Sequence, residues 1–144
     1  MQIIGFNFEK IQVARKGQPK GKLELKSNIN IKAITQEKIE IMKDRPALKF
    51  DFEFTVDYKP NVAEIIFQGF VLGLLDKEKT REVVKKWKTK KIPDEARVPL
   101  FNFILTKCNL KALHFEEEFG LPPHIPLPRV RADEKGQKGL NYTG

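Results

Sequence analysis

Few side chains in this 144-residue chain have the types and spacing that catalysis or metal binding needs. His114 and His124 are its two histidines, and histidine is the side chain that titrates near neutral pH without a perturbing environment. Glu117 and Glu118 follow His114 by three and four residues, which is also the spacing of a helical metal pair. A solvated acidic helix end is the favoured interpretation, because no further histidine or cysteine completes a site. His124, which stands among prolines, is predicted to be a turn residue.

The remaining candidates for chemistry also favour a structural role. Cys108 is the single cysteine and falls on a predicted apolar helix stripe, which indicates a buried structural thiol rather than a nucleophile. Residues 116–118 are consecutive glutamates, so they splay around a helix instead of converging as an acid and base pair. Gly69 and Gly73 lack the spacing and the Lys-Ser/Thr ending of a phosphate loop. We therefore predict no enzyme, no cofactor and no bound metal.

Positive charge is the most informative feature, and it is concentrated in residues 76–91. This stretch carries eight Lys or Arg against three acids, a net of +5 within a total of +8. Val83, Val84 and Trp87 recur at helical spacing, which predicts an amphipathic helix with one narrow apolar stripe. Trp87 is assigned to the core rather than to base stacking.

Two further basic regions flank this helix in the sequence. Residues 9–26 carry a net charge of +4 and residues 129–144 a net of +2, whereas the rest of the chain sums to −3. Such regions can neutralise nucleic-acid phosphates, which gives salt-dependent binding to shape and charge. The alternative is a lysine-rich surface that binds nothing acidic. The predicted RNA-binding residues are Lys16, Lys20, Lys22, Lys77, Arg81, Lys85, Lys86, Lys88, Lys90, Lys91, Arg129, Arg131, Lys135 and Lys138.

Period-two patterns in the first half of the chain predict strands that would carry these surfaces. A first strand changes its buried face near Glu9 and Lys10, which indicates a bulge or two short strands. A second strand region covers residues 23–33, and a short strand is predicted around residues 39–41. Residues 48–58 alternate strictly between apolar and polar, which is typical of an antiparallel sheet with one wet face. The turn at residues 59–61 then returns the chain as a hairpin with a strand over 62–75.

The second half is predicted to hold a second helix and an extended end. Its apolar stripe has alternating spacings of three and four residues, and Pro99 places the start of the helix near Val98. Gly120 is the expected C-cap, and two prolines at 122–123 stop the helix. The stripe consists of Val98, Phe101, Leu105, Cys108, Ala112, Phe115 and Phe119, with Ile104 beside it.

Length and composition predict one α+β domain over residues 1–130 and a basic C-terminal tail over 131–144. The domain is an antiparallel sheet of four or more strands with two C-terminal helices packed on one face. The longest apolar run, residues 62–75, is too short to cross a bilayer. The first ten residues lack the basic start and apolar run of a signal peptide. We expect a cytoplasmic protein with no membrane partner.

The order of elements resembles that of SecB, the protein-export chaperone. In that family a strand with a Gln-Gly pair leads into a helical hairpin, and the second helix ends in a Phe/Leu-Pro extended segment. The matching residues here are Phe67-Gln68-Gly69-Phe70, then Phe119-Gly120-Leu121-Pro122-Pro123 and Ile125-Pro126-Leu127-Pro128. The similarity covers residues 23–130. It implies a SecB-like sheet and helix arrangement, and family members are tetramers that hold unfolded chains in long apolar grooves.

The charge of this chain departs from that family, whose members are acidic and engage the export ATPase through an acidic sheet surface. We therefore expect a SecB-like domain that binds structured RNA without catalysis, as a ribosomal or ribosome-associated protein that contacts rRNA and neighbouring ribosomal proteins. The ribosomal step is an analogy with small lineage-specific ribosomal proteins. The main alternative is a SecB-like chaperone for unfolded polypeptides, and a third is a basic protein–protein adaptor.

Overall fold

The computed structural model describes residues 1–38 and 46–132, together with the backbone of residues 142–143. Lys135, Lys138 and the short strand predicted around residues 39–41 lie outside these residues. The elements in chain order are β1 (Gln2–Arg15), β2 (Glu24–Glu37), β3 (Ala47–Lys59), β4 (Ala63–Leu74), α1 (Lys77–Trp87), α2 (Asp94–Glu118), β5 (Arg129–Val130) and β6 (Tyr142–Thr143).

The first four strands form one antiparallel sheet in the order β1-β4-β3-β2. The alternating residues of β3 lie as predicted, because the row from Leu48 to Tyr58 is buried and the row from Lys49 to Asp57 is partly exposed. Stacked aromatic rings link the central strands, with Phe54 and Phe67 centred 5.8 Å apart. Together with the two helices, this sheet confirms the predicted α+β fold class.

The predicted bulge and hairpin both form. The register between β1 and β4 shifts between Phe8 and Lys10, where the sequence pattern changes face. Beside this bulge β1 approaches β4 so closely that a Cβ on Gly69 would overlap the carbonyl oxygen of Asn7. Between β3 and β4 the chain turns through a cis Lys59–Pro60 bond and Asn61, whose φ is +50°.

Helix α1 begins where Asp76 caps it, since the Asp76 carboxylate accepts a hydrogen bond from the Lys79 amide at 2.8 Å. It is shorter than the predicted basic helix, because residues 88–91 form a turn in which Lys90 has a φ of +59°. Val83 is buried as predicted, whereas Val84 is exposed and Trp87 only partly buried.

Helix α2 begins at Asp94, so the predicted start near Val98 is wrong. Pro99 lies inside the helix, where it lacks the amide that would bond to the Glu95 carbonyl. Glu95 is exposed, so water can satisfy that carbonyl. Burial of Ala96 and Leu100 against the sheet offsets the lost bond.

The buried face of α2 also differs from the predicted stripe. The fully buried residues recur every four positions, from Ala96 to Glu116, whereas Val98 and Leu105 are exposed. Each buried residue lies about 40° around the helix axis from the one four positions before it. A row that winds in this way can stay in contact with a twisted sheet, whereas a row parallel to the helix axis would lose contact with it. Cys108 and Ala112 belong to both patterns and are buried. Neither described helix is long and apolar enough to cross a membrane.

Candidate functional site

An open groove lies between the edge strand β2 and the connection from α1 to α2. It encloses about 550 Å³. Its floor comes from Ile29 and Ile31 on the helix-covered face of β2, and its far wall from Ile92 and Phe101. Trp87 closes one end with a partly exposed indole. The sequence assigned Trp87 to the core, and the structure instead places it at the mouth of this groove.

Three cations line the same groove: Lys90, Lys91 and Arg97. The Lys90 ammonium lies over the Trp87 ring, 4.5 Å from its centroid. Arg97 contacts Asp94, a neighbour outside the lining, at 3.0 Å. No carboxylate belongs to the lining residues that the structure describes, so we call this site the cationic groove.

A second groove of about 640 Å³ opens farther along the same face of β2. Leu25 forms its floor, and residues 122–127 form its wall. Arg129 and Arg131 are its charged lining residues. We call it the proline groove. About 20 Å of strand separates Leu25 from Ile31, at roughly 3.3 Å per residue.

A buried polar network holds the wall of the proline groove in place. The Glu116 carboxylate accepts from the Tyr58 hydroxyl and lies 2.8 Å from Nδ1 of His124. Nε2 of His124 lies 2.8 Å from Oδ1 of Asn109. The Tyr58 hydroxyl is also 2.8 Å from the Pro122 carbonyl oxygen. The carboxylate and the imidazole are both about 1% exposed, so the network ties α2 and the proline segment to β3 out of contact with water.

This network also places both ring nitrogens of His124 within hydrogen-bond distance of a polar side chain, Glu116 on one side and Asn109 on the other. Burial, and then the hydrogen bond to Glu116 and its charge, raise the pKa of Tyr58 well above its ordinary value. No buried side-chain nitrogen or oxygen among the described residues lacks a hydrogen-bond partner. The network is therefore fully satisfied, as buried polar groups need to be.

Sequence reasoning missed the network. His124 is a buried partner of Glu116 rather than a simple turn residue, and Glu116 points inward instead of splaying into water with its neighbours. One signal was present: Glu116 continues the four-residue series that contains Cys108 and Ala112.

The other candidates for chemistry are structural. Cys108 is fully buried as predicted, and burial raises the pKa of its thiol to about 12. His114 and Glu118 contact each other at 3.2 Å on the exposed end of α2, in agreement with a solvated helix end. Within residues 1–38 and 46–132 no cluster of three or more His, Cys, Asp or Glu could hold a metal ion.

The described members of the predicted RNA-binding set lie at separate ends of the sheet. Lys16 donates its backbone amide to the Val62 carbonyl, at the end of the sheet where β4 begins. Helix α1 starts just after β4 ends, about 40 Å away for a strand of twelve residues. Lys16 also pairs with Glu64 at 3.7 Å, beside a mixed-charge cavity of about 570 Å³ that Lys22 lines.

One flank of α1 keeps its cations free. Lys77, Arg81, Lys85 and Lys88 are exposed and form no ion pair within the part of the chain that the structure describes, whereas Lys86 pairs with Glu82 at 3.2 Å. Their spacing places these four cations on the same side of the helix.

Comparisons with known proteins bear on the fold. No protein-family model matches the sequence, and no curated protein matches it significantly. Among solved structures, the chain is similar to the Rv1957 SecB-like chaperone of Mycobacterium tuberculosis, in complex with a ChAD peptide from the Rv1956 HigA1 antitoxin. The TM-score is 0.50 at 16% sequence identity, over 92% of this chain and 91% of that chain. The predicted likeness to the SecB fold is therefore confirmed, and ribosome association stays a prediction.

Proposed function

We propose that this protein binds extended segments of non-native polypeptide, in the manner of a SecB-like chaperone. The observation that carries the proposal is the cationic groove, which leaves Trp87, Ile29 and Ile31 partly open to solvent beside an edge strand. Apolar surface that remains accessible in a concave site is typical of binding sites for peptides and other ligands.

The edge strand adds a second element of recognition. β2 lies at one end of the strand order, so among the described residues no strand pairs with its outer side. An extended polypeptide can supply backbone partners to such an edge while its side chains enter a neighbouring groove. Recognition through backbone groups and general apolar contact suits a protein that binds many different sequences.

The similar solved structure supports this proposal. The SecB-like chaperone Rv1957 is bound to a peptide in that structure, and its chain aligns with nearly all of this one. A fold shared with a peptide-bound protein and an open groove beside an edge strand are both compatible with a peptide-binding role.

An aggregation assay tests the proposal. A urea-unfolded test protein is diluted into buffer with and without this chain, and light scattering follows its aggregation. We expect suppression by the wild type, and Trp87→Ser should weaken client affinity about tenfold or more, as truncation of an aromatic anchor does. Leu110→Ser is the matched control, because Leu110 is 65% exposed on α2 and lines neither groove. Unsuppressed aggregation at a large excess of the wild type would rule the proposal out.

RNA binding is the second candidate, and the cationic flank of α1 favours it. Four cations that form no ion pair with the described residues lie on one side of this helix, where they can contact successive phosphates. Lys85→Glu plus Lys88→Glu should lower the slope of log affinity against log salt by roughly 1.4–1.8, since each lost phosphate contact removes about 0.7–0.9. The matched control is Lys10→Glu plus Lys26→Glu, which changes the net charge by the same amount at exposed residues away from α1.

Co-sedimentation with ribosomal subunits through a high-salt cushion tests the ribosomal form of this candidate. No binding to structured RNA even at low salt would remove it.

A further inference from the structure

The two grooves along β2 share one sign of charge. Their charged lining residues are three cations in the cationic groove and Arg129 and Arg131 in the proline groove. The described lining of each groove contains no Asp or Glu. Two acids lie close to the described linings without belonging to them: Asp94, which is exposed, contacts Arg97, and Glu116, which is buried, contacts His124. A polypeptide on this face of β2 would therefore meet apolar floor with positive charge around it.

Existing contacts leave part of this charge available. Arg97 donates from Nε and a terminal nitrogen to the same Asp94 oxygen, at 3.1 and 3.0 Å, so it is partly neutralised. Lys90 is engaged with the Trp87 ring, which does not cancel its charge. Lys91 has no ion pair within the part of the chain that the structure describes. The positive flank of α1 lies directly before these residues and adds to the potential.

We propose that the groove face of β2 selects extended polypeptide segments in which apolar or aromatic residues are flanked by Asp or Glu. This inference rests on the proposed function and names its class of substrate. The apolar residues of the segment lie on the β2 floor, and the flanking carboxylates face Lys90, Lys91 and the arginines of the proline groove. Lysine-flanked segments bind more weakly, because their ammonium groups then face the exposed cations of the grooves.

The size of the preference follows from the exposure of the cations. Each exposed ion pair contributes little, so two or three of them together give a preference of about tenfold. Because the pairs are solvent-exposed, salt should weaken the preference.

The test uses two fluorescent peptides with the same apolar centre, one flanked by aspartates and one by lysines. Anisotropy titrations with the full-length protein at ~50 mM and ~200 mM salt give their affinities. We expect the acidic peptide to bind about tenfold tighter at low salt, with the ratio shrinking as salt rises. Lys90→Glu plus Lys91→Glu should abolish or reverse the preference. Lys10→Glu plus Lys107→Glu should preserve it, because these exposed residues of β1 and α2 line neither groove.

The outcomes separate the two proposals. Equal affinities that both fall in Trp87→Ser would overturn the charge inference and leave polypeptide binding intact. Binding of neither peptide would overturn both. The same titration is also carried out with a structured RNA. If the RNA binds and neither peptide does, the positive charge serves to bind phosphates, and the inference is wrong.

Discussion

The two grooves along β2 carry charge of the same sign and lie on the same strand, yet their surroundings are held in place in different ways. The wall of the proline groove is tied down by the buried Glu116 and His124 pair. The cationic groove is instead closed at one end by Trp87, which is partly exposed, and its Arg97–Asp94 ion pair lies on the surface of α2. We therefore expect the wall of the proline groove to contribute stability and the cationic groove to contribute contact with a partner. Substitutions in the two walls should therefore separate stability from binding.

The largest effect is expected from Glu116→Gln. The substitution keeps the shape of the side chain but removes the buried carboxylate that both Tyr58 and His124 contact. Hydrogen bonds to a charged group contribute about 1.5–3 kcal/mol each, so the weakening of two of them places the loss for this variant at about 3 kcal/mol. Urea unfolding measures the loss. Glu117→Gln is the matched control, because Glu117 is exposed and should change the free energy of unfolding by less than about 0.5 kcal/mol. Equal stability of the two variants would contradict the structural role of the network.

Tyr58→Phe should cost less, about 2 kcal/mol at neutral pH, because it removes a hydrogen bond to a charged group but no charge. It should also flatten the alkaline part of the stability profile. The pKa of Tyr58 is raised in the folded state above its ordinary value of 10.0, so the folded protein keeps that proton longer than the unfolded chain. The stability that Tyr58 contributes is then present below pH 10 and is lost as pH rises further. Urea unfolding of both proteins between pH 7 and the alkaline range checks the sign. A Tyr58→Phe profile as steep as that of the wild type would show that Tyr58 is not responsible.

The smallest change in stability is expected from Trp87→Ser, whose indole is only partly buried. We expect a loss of about 1 kcal/mol or less in the free energy of unfolding, together with the larger loss of client affinity stated above. Thermal or urea unfolding beside the peptide titration gives both numbers. If this variant is instead as unstable as Glu116→Gln, Trp87 is also needed for stability, and the proposed difference between the two grooves is wrong.

The sequence predicted the parts of the fold that depend on local pattern. The alternation in β3, the bulge in β1 and the turn at Pro60 all follow from residues close in the chain, and all are present. The buried face of α2 could not be predicted from local pattern. Two apolar rows overlap on that helix, and contact with the twisted sheet decides which of them is buried.

The candidate site depended on contacts that local pattern does not contain. Tyr58 and Glu116 are 58 residues apart, and a carboxylate among neighbouring glutamates has the pattern of a solvated helix end. The grooves arise where the α1–α2 connection and the proline segment pass beside β2 without filling the space between. The sequence indicated an excess of positive charge correctly, but only the structure places some of it around apolar floors.

Hydrogen exchange of the β2 backbone, measured with and without the acidic peptide, shows whether the peptide lies in the cationic groove. We predict slower exchange around Ile29 and Ile31 and around the turn that carries Lys90, because the peptide lies between them. Protection confined to the Lys77 and Arg81 flank of α1, or no protection at saturating peptide, would contradict binding in the groove.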